Sequence, residues 1–224
     1  MRFSHAPGFL LLCCGLVLSA PAIPPQSERF LDFHSDITLQ DDSSLLVTET
    51  ITLICAGNQI RHGIYRDFPT AYSDPYNTHY RVGFEMVSAT RDSAPETFRV
   101  EDRSNGKRVY LGDPNTMLSL GQHVYTLTYR TNRQLGFYKD RDELFWNVTG
   151  NGWEFPIDHA SATVFLPAII SPDQVKLSGF TGPQGSREAQ LATATEAAAF
   201  QFRTTHPLEP PPFPKWSVSA RLYS

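Results

Sequence analysis

Cysteine is scarce in this 224-residue chain: Cys13 and Cys14 lie in the amino-terminal apolar stretch, and only Cys55 lies beyond it. Without that stretch no intrachain disulfide can form, so the fold must be held by its hydrophobic core, which the remaining ~200 residues are enough to build. Cys55 ends a strand-like run and reads as a small buried hydrophobe rather than a reactive thiol. Excess positive charge is also missing, with 19 Lys and Arg against 23 Asp and Glu and a net charge of −4. That balance excludes a nucleic-acid face and gives no draw toward anionic lipid. The histidines beyond the first twenty-two residues (His34, His62, His79, His123, His159, His206) form no His-x-His, His-Glu-x-x-His or Cys-paired set, so no metal site is expected. Asp140-Arg141-Asp142-Glu143 lacks calcium-loop spacing and reads as a solvated turn. No Gly-x-Ser-x-Gly elbow, Walker loop or dinucleotide fingerprint is present, and no cofactor is expected.

Long apolar runs are confined to the amino terminus. Met1–His5 carries Arg2, Gly8–Ala20 is apolar, and Ala20-Pro21-Ala22 places small residues where a signal peptidase reads. The run falls short of the ~20 residues that span a bilayer, which favours a cleaved leader over an anchor. Cys13 follows Leu12 and Cys14 follows Cys13, against a lipoprotein, whose modified cysteine follows a small residue. The expected organisation is a signal peptide over 1–22, a β domain over 23–206, and a proline-rich connector with a final strand over 207–224, with no transmembrane segment. The protein is thus expected in the periplasm or outside the cell.

What the sequence has in abundance is alternation. Leu31, Phe33, Ile37 and Leu39 fall on one face of a strand within 29–39, and Leu45, Val47, Ile51, Leu53 and Cys55, with Glu49 among them, on one face of a strand over 44–56. Further strands are predicted over 63–68, around Val82–Met86, Phe98–Val100 and Val109–Leu111, and over 124–131, 162–166 and 216–222. Ser104-Asn105-Gly106 marks a hairpin. Residues 187–202 fit either a helix or two strands, and Leu191/Thr193 with Phe200/Phe202 favours strands. Ten or more short strands joined by tight turns predict an all-β antiparallel sandwich. The densest aromatic run, Glu143–Pro156, reads as a strand, a Thr-Gly-Asn-Gly turn and a second short strand.

Five strings, in order, carry a family resemblance: Val47-Thr48-Glu49-Thr50, Arg61-His62-Gly63-Ile64-Tyr65-Arg66-Asp67-Phe68-Pro69, Leu111-Gly112-Asp113, Gly121-x-His123-x-Tyr125-x-Leu127-x-Tyr129, and Glu143-Leu144-Phe145-Trp146-Asn147-Val148-Thr149-Gly150-Asn151-x-Trp153. Over roughly 28–205 the chain resembles the N-terminal extracytoplasmic region of the bacterial predicted membrane proteins grouped as domain-of-unknown-function family 2207. The resemblance implies an exported β domain of the cell envelope with no established activity. Members usually continue into transmembrane helices, which this sequence lacks. That leaves a stand-alone secreted relative or a shortened gene. Asn147-Val148-Thr149 matches a glycosylation acceptor, but the resemblance points to bacteria, where this triplet usually has no such meaning.

Within this frame Glu49 and Arg66 stand out, because parity puts both charges on apolar faces, where an unpaired charge is costly. The expectation is that their strands are neighbours and the two form a structural ion pair, with Arg61 as the alternative partner. Trp146, Trp153, Asn147 and Asn151 suit either a sugar or peptide groove or a packed hairpin. Tyr125 and Tyr129, with His123, would line a pocket or pack within the sheet. Loops Pro69–Thr78, Gly112–Gly121 and Thr149–Gly152 would carry contacts. The leading function is a non-enzymatic binding or assembly module whose partner is an envelope protein or polysaccharide. The alternatives are a polysaccharide hydrolase built on Glu143 and Glu154 and a sensor domain for a membrane partner.

Overall fold

The computed structural model describes residues 27–73, 78–150, 153–167, 170–182, 191–196, 199–210 and 215–223. The strands begin with β1 (Arg29–Leu39), β2 (Leu45–Cys55), β3 (Ile64–Pro69), β4 (Ala71–Ser73), β5 (His79–Arg81) and β6 (Phe84–Arg91). They continue with β7 (Ala94–Pro95), β8 (Phe98–Arg103), β9 (Gly106–Leu111), β10 (Gly121–Thr131), β11 (Leu135–Phe137) and β12 (Arg141–Asn147). The last are β13 (Ile157–Phe165), β14 (Val175–Gly182), β15 (Leu191–Glu196), β16 (Ala199–Thr204) and β17 (Lys215–Tyr223). The only helical turn among the described residues is a 3₁₀ turn over Pro172–Gln174. Of the ambiguous segment 187–202, residues 191–196 and 199–202 lie in paired strands.

An eight-stranded sheet ordered β15-β16-β13-β1-β2-β10-β6-β7 forms one layer. A three-stranded sheet, β3-β9-β8, and a four-stranded sheet, β11-β12-β17-β14, face it. Tyr129 of the large sheet joins the layers, its ring 4.7 Å from Phe68 and 6.4 Å from Trp146. Phe33, Ile37, Val47, Ile51, Leu53, Leu127, Val164, Phe200 and Phe202 fill the space between. The other face of β1, β2 and β10 carries His34, Asp36, Thr48, Thr50, Thr126 and Thr128, giving the polar-out alternation of a one-sided sheet.

Several expectations need correction. The pairing is not wholly antiparallel, because β1 and β13 run parallel. A parallel neighbour requires a crossover, and the chain crosses from the four-stranded sheet to the large sheet between Asn147 and Ile157. The aromatic run Glu143–Pro156 is therefore not a hairpin. Residues 153–156 lie outside any strand, and β12 pairs with β11 and β17 instead. Asp140–Glu143 is not a solvated turn, since Arg141 opens β12 and Glu143 is buried. Leu31 does not share the buried parity of Phe33. The β1–β2 register shifts between Phe30 and Asp32, and this irregularity turns Phe30 inward and leaves Leu31 half-buried. The strand beyond the proline-rich connector is internal to the four-stranded sheet, lying between β12 and β14.

Candidate functional site

Glu49 and Arg66 meet at the centre of the sandwich, fully enclosed at 0% and 2% exposure. Their strands are not neighbours, as parity alone suggested. β2 lies in the large sheet and β3 pairs with β9, so the pair spans the two layers. Arg66 Nε donates to Glu49 Oε2 at 2.9 Å and Nη2 donates to Oε1 at 2.8 Å, a two-pronged clamp. Nη2 also donates to the Val148 carbonyl at 3.1 Å, and the Tyr129 hydroxyl donates to Glu49 Oε1 at 2.7 Å. Phe68, Phe33 and Trp153 surround the guanidinium, with ring centres 4.9, 5.6 and 5.7 Å away.

Burial disfavours the Arg66 charge, but the field and hydrogen bonds of Glu49 outweigh it and hold the guanidinium above its ordinary pKa. Burial, then the Glu49 charge, pushes the Tyr129 phenol well up, so it stays a neutral donor. The crossover is moulded to this knot. A Cβ on Gly150, whose φ is +70°, would fall 1.8 Å from Arg66 Nη1. Arg61 takes no part: it is exposed, and its Nε donates to the Asn58 carbonyl at 2.6 Å.

The aromatic and amide candidates fall beside the knot. Trp146 is buried on β12. Trp153, half-buried, donates from Nε1 to the Thr149 carbonyl at 2.7 Å and packs edge-on against Phe30 at 4.6 Å. Asn147 Oδ1 accepts the Gly150 N–H at 3.1 Å. Asn151 lies outside the described residues. Tyr125 and Tyr129 are core residues at 0% exposure. His123 is buried between Asp92, 2.7 Å from Nδ1, and the Ser119 carbonyl, 2.8 Å from Nε2. Of the two candidate catalytic carboxylates, Glu143 accepts from Arg221 Nε at 2.8 Å and lies 3.5 Å from Arg141 Nε. Glu154 is exposed, and its charge adds to burial in raising the Tyr65 phenol.

Two arrangements had no signal in the pattern. The Glu28 carboxylate accepts the N–H groups of Asn58, Gln59 and Ile60 at 2.9, 2.8 and 3.1 Å, tying down the β2–β3 loop. On the outer face of the large sheet, His34 stands between Ser161 Oγ, 2.7 Å from Nδ1, and Asp36 Oδ1, 3.0 Å from Nε2. The register places Arg203 beside Ser161 and Gln201 beside Thr163, and these side chains line a shallow groove of ≈ 360 Å³. With the imidazole proton on Nε2 facing Asp36, Nδ1 accepts from the serine, the connectivity of a general-base relay. Ser161 nevertheless lies within a strand flanked by β1 and β16. There the ladder engages the backbone N–H groups an oxyanion would need. The groove thus presents hydroxyl, imidazole, amide and guanidinium groups suited to holding a polar ligand. Among the described residues no three metal-ligating side chains cluster.

Fold and site together define a two-layer β-sandwich module that buries the Glu49–Arg66 pair between its layers and presents a polar sheet face outward. The family described as "Predicted membrane protein (DUF2207) N-terminal domain" matches residues 29–210, and the chain belongs to it. It is similar to "Uncharacterized protein YciQ" of Escherichia coli (strain K12), with 30% identity over 182 residues covering 79% of this chain and 29% of the relative. The chain therefore spans less than a third of the length of that curated relative. Native yeast LTA4 hydrolase shares the fold with a TM-score of 0.54 at 11% identity, covering 92% of this chain and 32% of that one. The same yeast enzyme in complex with bestatin gives 0.51 at 10% identity, over 90% of this chain and 31% of that one. At such identities the likeness is one of fold. Among the described residues no helix is long and apolar enough to cross a membrane.

Proposed function

We propose that this chain is an exported, non-enzymatic recognition or assembly module of the bacterial cell envelope, held at the membrane where its family operates. The observation that carries the reading is how its polar groups are used. Glu49, Arg66, Tyr129 and Glu143 are all taken up by internal partners, while the outer sheet face offers an open groove of hydrogen-bonding side chains. The amino-terminal apolar stretch and the family's membrane description support placement outside the cytoplasm. The partner class that fits is a hydroxyl-rich or amide-rich envelope component, a polysaccharide or an extended protein segment.

The rival chemistry is acyl transfer through Ser161 and His34, and it has a direct test. A fluorophosphonate probe should leave Ser161 unlabelled, whereas labelling abolished by Ser161→Ala would replace the recognition reading with a hydrolase. A photo-crosslinking side chain at Thr163 should capture an envelope component in living cells, and Arg203→Ala with Gln201→Ala should reduce that capture. A reporter enzyme that works only in the cytoplasm, fused after Ser224 so that β17 is kept, should be silent, and its activity would refute the placement.

A further inference from the structure

The β11–β12 hairpin leaves a large apolar group uncovered on the parity that elsewhere is buried. Leu135 packs against the core, and two residues on, along the same face, Phe137 is 70% exposed. Adjacent Tyr138 is 54% exposed, with its ring 4.5 Å from the Arg141 guanidinium. The register sets Phe137 beside Asp142, Asp142 beside Leu222, and Leu222 beside Val175, one row across all four strands at this end of the sheet. Arg141 pairs with Tyr223, so the end of β17 lies next to the hairpin tip. The family is described as one of predicted membrane proteins in which this domain is N-terminal.

From this geometry we infer that the β11–β12 tip rests in the bilayer interface, with Phe137 at the boundary of headgroups and acyl chains and Tyr138 at headgroup level. The inference rests on the membrane-side placement proposed above. An aromatic ring with a polar rim suits that layer, where one end is apolar and the other wet. The tip's charges balance, Lys139 and Arg141 against Asp140 and Asp142, so attachment comes from apolar insertion and not from attraction to anionic lipid. That selects a phospholipid surface of either charge as the occupant.

The test is Phe137→Trp in the full chain, with the emission of the parent protein subtracted. Vesicles of phosphatidylcholine, and of phosphatidylethanolamine with phosphatidylglycerol, should both shift the added tryptophan to the blue. Lipids brominated just below the headgroup should quench it, and added salt should change neither result. Replacing Phe137 and Tyr138 together by Asp should lower vesicle partition about tenfold, the loss expected for returning one buried phenylalanine to water, with an unchanged melting temperature. An added tryptophan indifferent to vesicles, or responsive only to anionic ones, would overturn the inference. Reporter fusions reading cytoplasmic placement would instead overturn the premise, whatever the vesicles show.

Discussion

Arg66 is the residue on which the interior depends most, because it neutralises Glu49 and orders the Val148 carbonyl at once. Removing one member of a buried pair leaves the other charge unsolvated, so Arg66→Leu should destabilise by about 3–5 kcal/mol in urea unfolding. Replacing both members, as in Glu49→Leu with Arg66→Met, should recover most of that loss, because apolar side chains of similar volume need no hydration. Tyr125 points the other way. Its hydroxyl is buried with no hydrogen-bond partner among the described residues, and burial pushes its phenol well above the ordinary tyrosine range. A raised folded-state pKa gives stability that is complete below the unfolded value of ~10 and is lost as pH climbs toward the folded one. Tyr125→Phe should therefore leave stability at pH 7 unchanged or slightly improved. It should also flatten the decline above pH 10, as read from denaturant midpoints across a pH series.

At the scale of elements, the crossover from β12 to β13 couples the knot to the topology. Gly150 has a left-handed backbone, and its missing Cβ makes room for Arg66 Nη1. Gly150→Ala should cost more than the ~1 kcal/mol of the backbone conformation alone, and the excess should vanish in an Arg66→Ala background, a coupling that a double-mutant cycle measures. β17 carries a second expectation. It fills the gap between β12 and β14, so a chain terminated after residue 210 would leave two unpaired edges. Such a truncation should aggregate and lose cooperative thermal unfolding, seen by calorimetry and light scattering. The aromatic run Glu143–Pro156 resembles a hairpin for a definite physical reason. Its alternation marks β12 correctly, but an alternating strand says nothing about its partner, and the glycine turn that suggested a return strand begins a crossover instead.

Over the whole molecule, the described residues join the two layers through aromatic packing and the Glu49–Arg66 clamp, and the surface includes a polar face of the large sheet and an exposed aromatic tip. The sandwich class was legible because burying one face of each strand imposes a period of two that local sequence must carry. The Glu49–Arg66 contact was half legible for the same reason. Parity declared both charges inward-facing, and few partners can satisfy them there. Its route across the layers was not legible, because parity gives the side of a strand and not the sheet to which it belongs. The Ser161–His34–Asp36 row was invisible, since its members come from strands 127 positions apart that only the parallel pairing of β1 and β13 sets side by side. By itself, then, the sequence determined where strands lie, which faces are apolar, and that two buried charges need each other. Tertiary structure alone decided which edges pair, where the register shifts, and which distant side chains share a surface. Alternation is a local consequence of burial, whereas pairing is settled by competition among many similar edges that only the assembled core resolves.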